Sequence, residues 1–179
     1  VSIATYGSSL RIIGSERGDP SGYTVVQRRK YERALKRCSA VIFQTEYARD
    51  FYCKQIQSKS LVIPNPAILR RGVLKEYNGE RKKVIISCGR LSSEKNFIGL
   101  IKAFAKVSNK LNQYNLRIYG SGPEERALRS LVRELALEER VFLMGDHPDL
   151  FLEEFDCCMF VLNSNTEGMP NALIEAMSI

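Results

Sequence analysis

Short apolar runs alternate along this chain with longer segments of helical period, the mark of repeated β-α units. Arg11-Ile12-Ile13-Gly14-Ser15, Ala40-Val41-Ile42-Phe43-Gln44 and Leu61-Val62-Ile63 are predicted strands. Between them a helix is predicted over 23–38, with Val25, Val26, Ala34 and Leu35 as its apolar positions. Thr45 is placed to cap a second helix that reaches Ile56. Pro64-Asn65-Pro66 ends the third strand, and residues 67–83 have weak periodicity and a basic end, Arg81-Lys82-Lys83; they read as a linker. Beyond it the pattern sharpens. Strands are predicted at 84–87, 116–119, 141–144 and 158–162. A helix over 96–111 sets Phe97, Leu100, Ile101, Phe104 and Val107 on one side, and Pro123 opens another that runs to Leu137. Near-continuous apolar strands between helices predict a parallel sheet covered on both faces, an α/β, Rossmann-like unit. Ligands of such sheets bind beyond the carboxyl ends of the strands.

Composition narrows the class without naming a chemistry. At 179 residues, 44% hydrophobic and 26% charged, the chain is neither disordered nor fibrous. The apolar stretch Cys157 to Leu162 is far shorter than the ~20 residues a bilayer span needs. Val1 stands where an initiator Met would, so the chain is expected to be an excised piece of a longer one. Five cysteines without a Cys-x-x-Cys pair fit a reduced, cytosolic protein, and a single His leaves a zinc site without ligands. Charge is uneven. Residues 1–83 hold 17 Lys and Arg against 7 Asp and Glu, whereas residues 84–179 hold 10 against 13. The basic half is expected to face something anionic: nucleic acid, an acidic membrane surface or a phosphorylated substrate. Arg28, Arg29, Lys30, Arg33, Lys36 and Arg37 crowd the polar side of the first helix, as a solvated face or as an anion-facing patch. There is no recognisable nucleic-acid readout motif and aromatics do not interleave with the cations, so nucleic acid is not expected as a partner.

Three strand-to-helix loops are expected on one sheet edge. In Gly89-Arg90-Leu91-Ser92-Ser93-Glu94-Lys95-Asn96, Arg90 supplies a planar fork and Lys95 a point charge, suited to a diphosphate; the alternative is a pair of solvated cations. Gly120-Ser121-Gly122 allows close approach to a ligand, or simply a tight turn, and lacks the fuller dinucleotide fingerprint. The third loop, Asn163 to Asn171, contains Glu167 and precedes a helix bearing Glu175. Carboxylates there cannot improve phosphate affinity; their use is to accept hydrogen bonds from hydroxyls. Cations, backbone N–H groups and two carboxylates together suggest a sugar nucleotide. His147, in Asp146-His147-Pro148-Asp149, reads as structural or exposed, with either Asp able to cap a short helix, and Cys157-Cys158 as packing.

In order along the chain, Gly89-Arg90-Leu91, Glu94-Lys95, Gly120-Ser121-Gly122-Pro123 and Glu167-Gly168-Met169-Pro170-Asn171-Ala172-Leu173-Ile174-Glu175-Ala176-Met177 resemble the family 4 (group 1) retaining glycosyltransferases. The resemblance implies the GT-B architecture of two Rossmann-like domains. Residues 1–66 would be the end of the acceptor-side domain, 67–83 the linker and 84–179 most of the donor-binding domain. Ser39 to Thr45 and Val62 to Pro66 are similar to the last strand of the first domain and its hand-over to the second. Ser15-Glu16-Arg17-Gly18-Asp19-Pro20 resembles members that build bacterial capsule, exopolysaccharide or lipid-linked glycans.

Carried over by resemblance, Arg90 and Lys95 bind the donor diphosphate beside Gly89 and Gly120, and Glu167 faces the donor sugar. The N–H groups of Gly168, Met169, Pro170-Asn171 and their neighbours meet phosphates or sugar hydroxyls, proline itself having none. Glu175 accepts from the ribose, and the base packs near Leu143 and Met144. No metal or other cofactor is expected, because the two cations meet the charge of the leaving nucleotide and no Asp-x-Asp occurs. The expected activity is transfer of a sugar, from a donor expected to be UDP-linked, to a lipid-linked or glycan acceptor with retention. The expected setting is cytoplasmic, with peripheral contact to an anionic membrane face, and residues 1–179 alone are expected not to turn over. The competing reading is a non-catalytic nucleotide- or polyanion-binding module.

Overall fold

The computed structural model describes residues 9–66 and 79–178. The chain forms two compact units: the first holds the chain to Pro66 together with Thr166–Pro170, and the second runs from Ala67 to Asn165 and resumes at Asn171. Residues 67–78 of the predicted linker lie outside the described residues, and its last two, Lys82 and Lys83, already belong to a strand.

In the first unit, β1 (Ile13–Glu16), β2 (Ala40–Phe43) and β3 (Ser60–Val62) pair in parallel in that order. Register sets Glu16 beside Phe43 and Phe43 beside Val62, so the three carboxyl ends are level. Alternate residues of β2, Val41 and Phe43, are fully buried and pack with Leu35, Cys38, Ala48, Tyr52 and Ile56. Helix α1 (Val25–Lys36) starts at a capping box: Gln27 N–H donates to Thr24 Oγ1 (3.2 Å) and Thr24 N–H donates to Gln27 Oε1 (2.9 Å). Val25 and Val26, expected as apolar packing positions, are 60% and 76% exposed. Burial in α1 comes in its last turn, at Leu35, so the first turn projects past the core.

The helix expected from Thr45 to Ile56 is two: α2 (Glu46–Asp50) and α3 (Lys54–Gln57). Thr45 caps the first as expected, accepting from Ala48 N–H at 3.1 Å. The interruption has a cause. Tyr52 turns into the core, 4% exposed, and Cys53 is extended (φ −66, ψ 158).

The second unit carries β4 (Lys82–Cys88), β5 (Asn115–Tyr119), β6 (Val141–Gly145) and β7 (Cys157–Phe160), all parallel, in the order β6-β5-β4-β7. Both faces are covered, as the apolar strands require. Val84 and Ile86 pack with Tyr119, Leu150 and Cys157 on one side. Ile85 packs against the other cluster, which includes Leu91, Phe97, Ile101, Leu116, Ile118 and Leu128. Helices α4 (Phe97–Val107), α5 (Glu125–Glu134), the short α6 (Leu150–Glu153) and α7 (Asn171–Met177) complete it.

Helix α4 stops at Val107, four residues earlier than its period suggested, and Val107 is 39% exposed. Helix α5 begins two residues past Pro123 and ends in a Schellman motif, with Ala136 N–H donating to Arg133 O and Leu137 N–H to Val132 O (both 3.0 Å). Ala136 there has φ +52, where glycine is usual. Asp149 stands at the start of α6 without a side-chain capping bond. All five cysteines are free thiols, and Cys157 is buried while Cys158 is exposed. Among the described residues, no helix is long and apolar enough to cross a membrane.

From β4 the chain steps outward through β5 to β6 and returns on the other side of β4 as β7. The strand order reverses beside β4, and the crevice at such a reversal is where open parallel sheets bind ligands.

Candidate functional site

At the carboxyl end of β4 the chain enters Gly89-Arg90-Leu91 with Leu91 as its anchor, 1% exposed in the core. The loop is pinned by backbone: Gly89 N–H donates to Tyr119 O (3.0 Å), Leu91 N–H to Ser121 O (2.9 Å) and Glu124 N–H to Leu91 O (3.0 Å). Gly120 (φ +132) is required here, because a Cβ would lie 2.0 Å from Gly89 O. A Cβ at Gly122 would lie 2.5 Å from Leu91 O. The Gly-Ser-Gly turn therefore holds the loop that carries Arg90.

Arg90 itself is exposed, and the Lys95 methylenes pass Gly89 at 3.4–3.6 Å from the position of a Cβ. Asn96 adopts a left-handed conformation (φ 52, ψ 39) and caps α4 by accepting from Gly99 N–H at 3.2 Å. The loop after β7 clamps this turn. Asn163 Nδ2 donates to Asn96 O (3.0 Å), Asn165 N–H to Glu94 O (2.8 Å) and Asn165 Nδ2 to Ser93 O (3.0 Å). The roles of Asn163 and Asn165 were not read from the sequence; their only signal was a polar run after a strand.

A cavity of about 210 Å³ opens at this edge, lined by Cys88, Gly89, Gly120, Tyr119, His147 and Glu175 among others. Burial, with Glu175 adding to it and Lys95 opposing, pushes the Cys88 thiol up to about 11, so it is neutral at physiological pH. The Tyr119 hydroxyl donates to the buried carboxylate of Glu154 (2.7 Å), which also pairs with Arg117. His147 meets Tyr119 edge-on, centroids 5.6 Å apart, and its Nδ1 lies 3.0 Å from Glu153. Gly89, Gly120 and Glu175 are thus brought to one cavity, with Lys95 beside Gly89. Leu143 and Met144 are not: they line a separate depression of about 380 Å³ with Arg129, Val132 and Arg133. The β6 end reaches the first cavity through Asp146 and His147 instead. Among the described residues, no group of three or more His, Cys, Asp or Glu could hold a metal ion.

Glu167, Gly168, Met169 and Pro170 belong to the first unit, and Asn171 begins α7 in the second. A Cβ at Gly168 would lie 2.3 Å from Arg17 O, and one at Gly22 would lie 2.9 Å from Thr166 Cγ2. Asn65 N–H donates to the Met169 sulfur (3.2 Å) and Asn65 Nδ2 to Met169 O (3.5 Å). The stretch therefore rests on the carboxyl edge of the β1-β2-β3 sheet, against the loop Arg17–Gly22.

Two units, each a parallel sheet flanked by helices, have the architecture of the GT-B glycosyltransferases. The crystal structure of the G117R mutant of S. aureus TarM, in complex with Fondaparinux, alpha-GlcNAc-glycerol and UDP, matches with a TM-score of 0.81 at 21% identity, over 97% of this chain and 36% of its own. The chain belongs to the glycosyl transferases group 1, whose family pattern it matches over residues 74–179. An uncharacterized glycosyltransferase of Methanocaldococcus jannaschii is 30% identical over 163 residues, 83% of this chain. The N-acetylgalactosamine-N,N'-diacetylbacillosaminyl-diphospho-undecaprenol 4-alpha-N-acetylgalactosaminyltransferase of Campylobacter jejuni is 37% identical over 98 residues, 55% of this chain. The chain spans 40% of the first of these relatives and 26% of the second.

Proposed function

We propose that the whole protein transfers a hexose or N-acetylhexosamine from a UDP-linked donor to a lipid-linked or glycan acceptor, with retention, in surface polysaccharide synthesis. The observation that carries this reading is the cavity at the β4 and β5 carboxyl ends, where Gly89, Gly120 and Glu175 meet with Lys95 alongside. UDP in the TarM complex supports the donor class, and the diphospho-undecaprenol in the name of the C. jejuni relative supports the acceptor class.

In this reading Arg90 and Lys95 neutralise the donor diphosphate and stabilise the charge that grows on the departing nucleotide. Glu175 accepts hydrogen bonds from the ribose. Glu167 faces the sugar, with backbone N–H groups of Gly168, Met169 and Asn171 toward its hydroxyls or the phosphates, and Gly168 and Pro170 shaping the turn. As the bond from the anomeric carbon to phosphate oxygen breaks, the acceptor hydroxyl forms the new glycosidic bond on the same face. Its proton passes to the leaving phosphate, and Glu167 is not called on as a nucleophile. The two cations meet the leaving charge, so chelators are expected to leave transfer unchanged.

Exposed Arg28, Arg29, Lys30 and Arg33 on α1, with Val25 and Val26 exposed beside them, support a cytoplasmic protein held peripherally at an anionic membrane. Neutralising Arg28, Arg29 and Lys30 is then expected to abolish binding to anionic vesicles; unchanged binding would count against it. The test of the donor site is calorimetric titration of the full-length protein with UDP, using GDP and ADP as controls. Selective UDP binding that disappears in an Arg90→Ala/Glu175→Ala double variant is the expected result. Equal binding by the variant would remove the site.

A further inference from the structure

The Ser15–Pro20 segment was singled out by its sequence, and the reaction proposed above gives it no role. It holds a buried carboxylate where a strand meets a loop. Glu16 closes β1 and is 7% exposed. Its Oε1 accepts from Gly18 N–H (2.9 Å) and from the Tyr23 hydroxyl (2.8 Å), and its Oε2 accepts from the Tyr52 hydroxyl (3.1 Å). Tyr23 lies just past the far end of the loop and Gly18 near its start, so one carboxylate ties the two ends of Arg17–Gly22 together. Tyr52 reaches Glu16 only because the helix expected over 45–56 breaks there.

A second buried side chain fixes the same loop. Gln44, 7% exposed, follows β2; with its amide assigned so that the nitrogen faces Arg17 O, it donates there (3.1 Å) and its oxygen accepts from Arg17 Nε (3.2 Å) and Asn65 Nδ2 (2.8 Å). The loop held in this way touches both neighbours of Glu167. Arg17 O abuts Gly168, and Gly22 abuts Thr166, with no space for a Cβ in either place.

We infer that Glu16 is a positioning residue for transfer. It acts through Arg17–Gly22 to hold the Thr166–Gly168 backbone and hence the direction of Glu167. The inference rests on the reading that Glu167 faces the donor sugar. The cavity that carries the nucleotide proposal belongs to the other unit, so loss of Glu16 is expected to separate turnover from nucleotide affinity. A misplacement of about 1 Å at reacting groups lowers rate about 100-fold.

The experiment compares Glu16→Ala, Glu16→Gln and Tyr23→Phe in the full-length protein by transfer kinetics, UDP calorimetry and amide hydrogen exchange. Glu16→Ala is expected to lower kcat about 100-fold, leave UDP affinity within about twofold, and speed exchange in residues 166–169 about tenfold. Glu16→Gln keeps an oxygen for Gly18 and Tyr23, and Tyr52 can accept from the new amide; it is expected to restore most of kcat. Tyr23→Phe removes one tie and is expected to cost about tenfold in kcat, which keeps the inference testable should Glu16→Ala fail to fold. Wild-type kcat or wild-type exchange at 166–169 in Tyr23→Phe or in folded Glu16→Ala would overturn it. A parallel fall in UDP affinity and kcat would do the same. A wild-type protein that neither binds UDP nor transfers would defeat the donor reading instead, and the exchange measurement would still decide what Glu16 does.

Discussion

Gly89–Leu91 lies backbone to backbone against the turn after β5, whereas Thr166–Gly168 lies against a loop whose own shape depends on side-chain bonds to Glu16 and Gln44. The first arrangement has Leu91 in an apolar core and two glycines with no room for a side chain. The second has a buried carboxylate with three donors. Backbone packing of the first kind is indifferent to pH and intolerant of a methyl group. The second kind is as intolerant of a methyl group at Gly168, and depends besides on every donor and acceptor of its side-chain network being present. One segment is thus fixed by backbone shape alone and the other by shape together with side-chain chemistry.

That contrast can be broken most sharply at Gly120. Gly120→Ala sets a methyl 2.0 Å from Gly89 O and is expected to cost about 3 kcal/mol or more, read as a shift in denaturant midpoint. Gly145 is the matched control: φ is +75 but nothing lies within 4 Å of its Cβ position, so Gly145→Ala is expected to cost only about 1–2 kcal/mol of backbone strain. Equal costs at the two positions would mean that close packing does not hold the Arg90 loop.

The side-chain network is expected to show itself in alkali. Burial raises the Tyr52 and Tyr23 phenols above their ordinary 10.0, and Glu16 raises them further. Their contribution to stability is complete below that value, where phenols of folded and unfolded chains are both protonated. It declines as pH rises past it, because the unfolded chain ionises first. The unfolding midpoint of the wild type should therefore fall between about pH 9 and about pH 11, and less so in Tyr52→Phe. Tyr119, raised by burial and by Glu154, and the Cys88 and Cys157 thiols, raised by burial, add the same trend in the second unit, so the difference between wild type and Tyr52→Phe is what reports the first. Smallest of all is the expected stability change for Arg90→Ala, within about 0.5 kcal/mol, since Arg90 is exposed.

The sheets were legible because buried parallel strands are nearly continuous in apolar residues; Val41 to Phe43 and Val84 to Ile86 show this directly. The loops were legible because each follows such a strand. What escaped the reading depends on tertiary partners. Residues 45–56 keep helical composition, yet the Tyr52 hydroxyl has a carboxylate to meet 36 positions away, and the helix yields. Val25 and Val26 have the right spacing for packing but stand where α1 has run past its core. The strand holding Leu143 and Met144 follows from the apolar pattern and their place at the base only from the resemblance, whereas the depression they line is shared with Arg129, Val132 and Arg133 of α5. Glu16 lies just past the strand predicted over 11–15, and nothing local announces that its carboxylate will be buried.

Ala136 leaves something to be used. Its left-handed φ of 52 at the end of α5 carries strain that a residue without a Cβ would not feel. Because Leu137 beside it is buried, the turn cannot relax by moving away. Exchange to glycine at this one position should yield a hardier parent chain, by about 1 kcal/mol, at a place remote in sequence from Gly120, Glu16 and Arg90. Such a parent would let the more damaging substitutions be studied as folded, soluble material at ordinary temperature.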